Sequence, residues 1–259
     1  MKICTFASGS RGNCTLISLN GRNFLIDAGI SMRRICSALS DNSLTPKDID
    51  AILITHQHSD HISGLRMLTK HYPIKVICPK STALYLLNSL SCPHNLIEIM
   101  PAGSKISFGD VNISSFSTSH DTEESVGYRI EGEQTFSFAT DTGFVSDEVY
   151  TGLKGADAVV IEANHDIDML RFGNYPYHLK KRILSPCGHL SNDDCANLVS
   201  RLCIEGTKYF ILAHLSRENN TPAKAYSSVS PALSGSDAKI YVAPEAEIFT
   251  LEIGGENIC

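Results

Sequence analysis

Apolar residues recur along the chain in two rhythms, alternation of buried and polar positions and short wholly apolar runs, and together these predict an α/β fold. β segments are expected at residues 2–7, 14–19 and 23–27, with Asn20-Gly21 as the hairpin turn between the last two. A helix is expected over 31–39, and Thr45-Pro46-Lys47-Asp48 reads as the capped first turn of a shorter one. The run 51–54 is wholly apolar, as a strand covered on both faces requires, and helical spacing follows over 62–71. The middle predicts a strand at 74–78, a helix at 82–90, and β runs at 96–100, 105–108, 111–118, 126–131 and 135–139, with Gly132 turning the last hairpin. A second β-and-α portion follows, with strands at 158–161 and 209–212, helices at 176–184 and 192–204, and closing strands at 240–242 and 248–253. No linker, short repeat or low-complexity tract interrupts this order, so one domain over 1–259 is expected.

Composition adds limits. With 42% hydrophobic and 19% charged residues in 259, the chain is long enough to bury a substantial core. No stretch is apolar for the roughly 20 residues of a membrane span, and the first residues carry no basic, then apolar leader. The nine cysteines form an odd set without a C-x-x-C pair, scattered through the expected strands and helices, as buried thiols of a reducing compartment are. A soluble, unprocessed, cytoplasmic protein without membrane contact is the expectation. The net charge of -6 speaks against an extended basic nucleic-acid surface, though Arg33-Arg34 and Lys180-Lys181-Arg182 form local positive spots, the usual form of solvated helix faces.

The chemistry starts where the apolar run 51–54 ends, at His56-Gln57-His58-Ser59-Asp60-His61. A strand-to-helix loop at that place is where open α/β sheets hold ligands, and imidazoles with a carboxylate suit zinc, manganese or iron. One loop cannot satisfy two ions, so further ligands are required at later strand ends. His120, Asp141 and His214 each follow an expected strand. The loop Ser8-Gly9-Ser10-Arg11-Gly12-Asn13 reads either as a plain turn or as an anion-binding loop whose Ser8 and Ser10 meet substrate.

These residues resemble the metallo-β-lactamase superfamily, whose four-layer αββα sandwich carries a dinuclear site. The five marks of that family are present as Asp27, the His56 to His61 run, His120, Asp141 and His214. The resemblance implies one ion on His56, His58 and His120, a second on Asp60, His61 and His214, Asp141 bridging them, and Asp27 as a buried support. An aspartate at the place of Asp141, where common β-lactamases use cysteine, argues against lactamase activity. A tail ending in strands argues against the helical substrate domain of glyoxalase II.

Two further segments sharpen the resemblance. Ile161-Glu162-Ala163-Asn164-His165-Asp166 and Gly188-His189-Leu190-Ser191-Asn192 are similar to paired loops of the tRNA 3′-processing phosphodiesterases, in which a glutamate orients a histidine at the scissile phosphate. By that likeness Glu162 orients His189, and Asn164 and His165 are candidate substrate contacts, while His189 also reads as a helix-entry residue before the Ser191 or Asn192 cap. With Ala213-His214-Leu215-Ser216-Arg217-Glu218-Asn219-Asn220, the wording is most similar to the YycJ/WalJ (VicX) group of 5′-acting DNA exonucleases. The resemblance implies a two-metal hydrolase whose activated water attacks phosphorus in a DNA substrate, with Asp60, Asp141, His189 and Glu162 as the catalytic set. The alternatives are a small-molecule or cyclic phosphodiesterase, a tRNA 3′-processing-like endonuclease, a glyoxalase-type thioesterase and a non-catalytic metal-binding regulator.

Overall fold

The structure is a computed structural model that describes residues 1–254. The first half of the chain gives β1 (Lys2–Ala7), β2 (Cys14–Leu19), β3 (Arg22–Ile26), α1 (Met32–Asp41), β4 (Ala51–Leu53), α2 (Ser59–Ile62), α3 (Leu65–His71), β5 (Lys75–Cys78), α4 (Lys80–Asn88) and β6 (Ile97–Ile99). Then come β7 (Lys105–Phe108), β8 (Val111–Ser117), β9 (Val126–Glu131), β10 (Thr135–Ala139), α5 (Asp147–Leu153), β11 (Ala158–Glu162), α6 (Ile167–Phe172) and α7 (Tyr177–Ile183). The last elements are α8 (Asn192–Ile204), β12 (Tyr209–Ala213), α9 (Pro222–Val229), β13 (Lys239–Val242) and β14 (Phe249–Glu252).

The strands form two seven-stranded mixed sheets, ordered β14-β1-β2-β3-β4-β5-β6 and β13-β12-β11-β10-β9-β8-β7. Alternation along each strand decides which layer a side chain enters. In the first sheet Cys4, Phe6, Leu16, Leu25, Ile52 and Val76 point outward onto Ile35, Leu39, Leu65 and Leu68 of α1 and α3. Their neighbours Ile3, Ile17, Phe24, Leu53 and Ile77 point inward to meet Ile113, Tyr128, Phe136, Val160 and Ile211 of the second sheet. The opposite face of that sheet, with Val159, Ile161, Phe210 and Leu212, is covered by Val149 and Leu153 of α5, Leu198 and Leu202 of α8, and Val229 of α9. The result is the αββα sandwich. The expectation of one domain extends over 1–259, of which residues 255–259 lie outside the described part; within 1–254 the inner apolar layer is shared by strands from both halves.

The strands agree with the alternation to within a residue or two at most ends. Helical spacing over 62–71 is interrupted at Gly64, whose N–H donates to the Ala28 carbonyl at 2.9 Å instead of to its own helix; the approach is so close that a Cβ there would lie 1.9 Å from the Ile30 carbonyl oxygen. Helices α5, α6 and α9 have no counterpart in the hydrophobic pattern. Each is short and buries one or two residues, and each is marked by a cap, Ser146, Asp166 and Thr221, whose side chain accepts the backbone N–H of Val149, Met169 and Lys224 respectively. Among the described cysteines, Cys4, Cys14, Cys78, Cys92 and Cys195 are buried thiols, Cys187 is exposed and none is bonded to another. Cys259 lies outside the described residues. Among the described residues no helix is long and apolar enough to cross a membrane.

Candidate metal centre

Strands β3 and β4 are parallel neighbours, as are β10, β11 and β12, so their C-terminal ends gather along one edge of the sandwich. The register sets Ala139 beside Ile161 and Glu162 beside Ala213, which brings Asp141, Glu162 and His214 side by side. Asp27, Asp141 and His214 all take positive φ, at 60°, 55° and 55°. A left-handed backbone at a residue other than glycine costs energy, and here it turns each side chain off its strand end into the common centre. Asp60 and His61 lie on α2, the single helical turn that follows β4, seated where Gly29 allows backbone contact. A Cβ at Gly29 would lie 1.6 Å from the Asp60 carbonyl oxygen.

The seven candidate metal ligands converge. His56 Nε2 lies 3.0 Å from His58 Nδ1, and His120 Nε2 lies 3.3 Å from the same atom. Metal–nitrogen bonds of about 2.0–2.1 Å around a tetrahedral zinc put ligand nitrogens roughly 3.3 Å apart, so this trio is already spaced for one cation. In a second trio Asp60 Oδ2 lies 3.4 Å from His61 Nε2 and 3.7 Å from His214 Nε2. Asp141 sits between them, with Oδ2 3.3 Å from His61 Nε2 and Oδ1 3.7 Å from His120 Nε2.

Hydrogen bonds behind the cluster choose which ring nitrogen faces inward, as the supporting partners of ligand histidines do. Asp27, fully buried, accepts from His61 Nδ1 at 2.7 Å and from the Thr55 backbone N–H at 2.9 Å. His120 Nδ1 is bonded to the Gly188 carbonyl at 3.2 Å, and His56 Nδ1 lies 3.0 Å from the Thr55 hydroxyl. Truncating Asp27 to alanine leaves His61 buried without its counter-charge, and the metal-free chain is expected to lose about 3 kcal/mol of stability. An unchanged midpoint in guanidinium unfolding would remove Asp27 from this supporting role.

The donor set fits divalent cations on two grounds. Asp141 Oδ2 and His214 Nε2 are buried and have no hydrogen-bond partner, so each is left facing the centre unsatisfied. The centre also gathers the carboxylates of Asp27, Asp60, Asp141 and Glu162, which demand positive charge. Without an ion protons supply it. Burial disfavours charge on His214, yet Asp141, Asp60 and Glu162 push it up to about 10. Asp27 and Asp141 likewise overcome burial to raise His61 well above the ordinary imidazole range. Asp141 is buried too, and the charges on His214 and His61 hold its carboxyl well below the usual carboxylate range. A cation entering this centre displaces such protons.

Glu162 does more than orient one histidine. Its Oε1 meets His189 Nδ1 at 2.8 Å and His214 Nδ1 at 2.9 Å, while Oε2 accepts the backbone N–H groups of Thr142 at 3.0 Å and Leu190 at 3.2 Å. With every lone pair engaged, Glu162 lies down at about 2 in spite of burial, chiefly through His189. One carboxylate thus joins the loops after β10, β11 and β12 to the His189 loop. His189 is also raised, against burial, by Glu162 and Asp141.

The candidate substrate contacts separate. Ser10 is exposed and lines the cleft beside His189 and His214. Asn164 also lines it, with its Nδ2 donating to the His214 carbonyl at 2.9 Å. Ser8 is buried, and its hydroxyl accepts the His214 backbone N–H at 2.8 Å. His165 is 1% exposed, with both ring nitrogens unpartnered, so it presents no surface to a substrate. Residues absent from the sequence expectation also reach the centre. Asn13 Nδ2 lies 3.2 Å from His61 Nε2, and Asp121 Oδ1 lies 3.3 Å from His120 Nε2. Adjacency to His120 was the available signal for Asp121, and membership of the Ser8 to Asn13 loop that for Asn13, whose partners lie 47 and 48 residues away.

Residues 22–215 match the sequence profile of the beta-lactamase superfamily domain, and the chain belongs to that superfamily. Within it, the chain is similar to the exodeoxyribonuclease WalJ of Streptococcus pneumoniae, with 39% identity over 245 residues, covering 93% of this chain and 91% of that one. It is also similar to the exodeoxyribonuclease YycJ of Bacillus anthracis, with 38% identity over 231 residues, 88% of this chain and 87% of that one. Among solved structures, zinc-bound PqqB from Methylobacterium extorquens shares the fold, with a TM-score of 0.72 at 16% identity over 98% of this chain and 100% of that one.

Proposed function

We propose that the chain is a two-metal phosphodiesterase acting as a DNA exonuclease, 5′ to 3′, in the cytoplasm. The observation that carries the chemistry is the Glu162–His189 pair, 2.8 Å apart, with the His189 ring 5.1 Å from that of His120 and 5.3 Å from that of His214, one from each ligand trio. The relatives named exodeoxyribonucleases, similar over about nine-tenths of each chain, support DNA as the substrate. Buried thiols fit a reducing compartment.

His56, His58 and His120 would hold one ion, Asp60, His61 and His214 the other, and Asp141 both. Zinc or manganese, with iron as the further candidate, supplies Lewis acidity toward phosphoryl oxygens and acidifies water. Asp60, with a side chain about one-fifth exposed, would take the proton of the attacking water more readily than the enclosed Asp141. His189 has Nδ1 committed to Glu162, which leaves Nε2 to donate a proton to the leaving oxygen or to hold the phosphate.

The test uses metal-free protein reloaded with zinc, manganese or ferrous iron and given 5′-phosphorylated single-stranded and duplex DNA, a chromogenic phosphodiester and a glutathione thioester. Nucleotides are expected to be released from the 5′ end of DNA. Thioester cleavage without DNA loss, or full metal occupancy with no ester cleaved, would overturn the reading.

A further inference from the structure

The basic run Lys180-Lys181-Arg182 is divided by the fold among different tasks. Lys180 Nζ donates to the carbonyls of Arg171 and Gly173, both at 2.7 Å, and so ties down the turn between α6 and α7. Lys181 is exposed. Arg182 turns toward the metal centre. Its Nε donates to Asp121 Oδ2 at 2.6 Å and its Nη2 pairs with the same oxygen, while Asp121 Oδ1 lies 3.3 Å from His120 Nε2 and 3.7 Å from His58 Nε2. Arg182 is still more than half exposed, and it lines the cleft with Tyr175, Leu179, His189 and Ser10. One guanidinium therefore faces both the metal centre and the cleft.

Tyr175 stands in the turn that Lys180 fixes, partly exposed at the same cleft. Residues 175, 179, 182 and 183 make one wall of it, and their spacing puts the last three on one face of α7. That wall offers an aromatic ring and aliphatic side chains, ending in a cation beside His189. Helices α6 and α7 bury only Leu170 and Ile183, so core packing does not account for this segment. An apolar wall with an aromatic ring and an arginine next to the reacting centre matches an unpaired nucleotide, whose base stacks while its phosphate meets the guanidinium.

Resting on the nuclease reading above, we infer that this cleft is the subsite for the terminal nucleotide of an unpaired DNA end, with Tyr175 stacking on its base and Arg182 contacting its phosphate. Recognition of the base is then separable from recognition of the phosphate.

The experiment compares two 5′-phosphorylated single-stranded oligonucleotides, one normal and one abasic at its first position. On metal-loaded enzyme the abasic end is expected to raise KM about tenfold. Tyr175→Ala is expected to raise KM for the normal end by the same factor, leave the abasic substrate unchanged and so erase the difference; Tyr175→Phe retains it. Arg182→Ala raises KM for both ends alike. Fluorescence anisotropy in the metal-loaded His189→Ala background, where turnover is slowed, should show the same ratio between normal and abasic ends with and without Tyr175→Ala, and metal content and Tm show that each variant is intact. A Tyr175→Ala enzyme that still discriminates against the abasic end, or a wild type that cleaves both ends equally well, overturns the subsite alone. If the wild type cleaves neither oligonucleotide yet degrades 5′-phosphorylated duplex DNA, the subsite again falls alone; if it cleaves no DNA yet hydrolyses methyl p-nitrophenyl phosphate, the nuclease reading falls and this inference with it.

Discussion

Asp141→Ala protein is expected to retain at most one ion per chain and to lose phosphodiester turnover by about a thousandfold. The two oxygens of Asp141 face different trios, Oδ2 toward His61 and Oδ1 toward His120, so one truncation removes a donor from both places. The trio of His56, His58 and His120 keeps its three nitrogens, which is why one ion can remain. Metal contributions of several kcal/mol to transition-state charge set the size of the rate loss. Elemental analysis after dialysis measures the stoichiometry. Two ions per chain in the variant would end the bridging assignment, whatever its activity.

The second large effect is expected at His189, where alanine should lower kcat by 10² to 10⁴, the usual worth of a positioned proton donor, with metal content unchanged. The expectation follows from its geometry. Nδ1 is engaged by Glu162 at 2.8 Å, and the ring lines the cleft 5.1 Å from the His120 ring and 5.3 Å from the His214 ring. Asp141, Glu162, His189 and His214 also present atoms close enough to hold an ion together, so a ligand role is the rival assignment. Elemental analysis separates the two, because loss of metal in His189→Ala would make His189 a ligand. A variant with full metal and full turnover would leave His189 as a helix-entry residue and nothing more.

The asymmetry between what was readable and what was not has a local cause. Strands were legible because side-chain alternation is a property of consecutive residues, and the buried run 51–54 announced both a strand and the loop after it. Helices α5, α6 and α9 were not, since six to eight residues burying one or two side chains leave too little periodicity to detect, although Ser146, Asp166 and Thr221 stood at their starts. Ser8, Ser10, Asn164 and His165 shared one expectation and part in two ways, Ser10 and Asn164 lining the cleft and Ser8 and His165 lying buried. Backbone turns after β1 and β11, beyond the reach of a residue pattern, decided that Ser8 and His165 face inward.

By itself the sequence supplied the candidate donors, since the histidine and aspartate types, their order and their places after apolar runs are written in the chain. Tertiary structure alone decided the rest. The parallel register that sets Glu162 beside Ala213, the left-handed turns at Asp27, Asp141 and His214, and the sharing of Glu162 between His189 and His214 join segments dozens of residues apart. The same holds for Arg182, an ordinary member of a basic run until the fold sets it against Asp121, 61 residues earlier. Hydrogen-bond direction and charge compensation act over a few ångströms in space, and separation along the chain carries no trace of them.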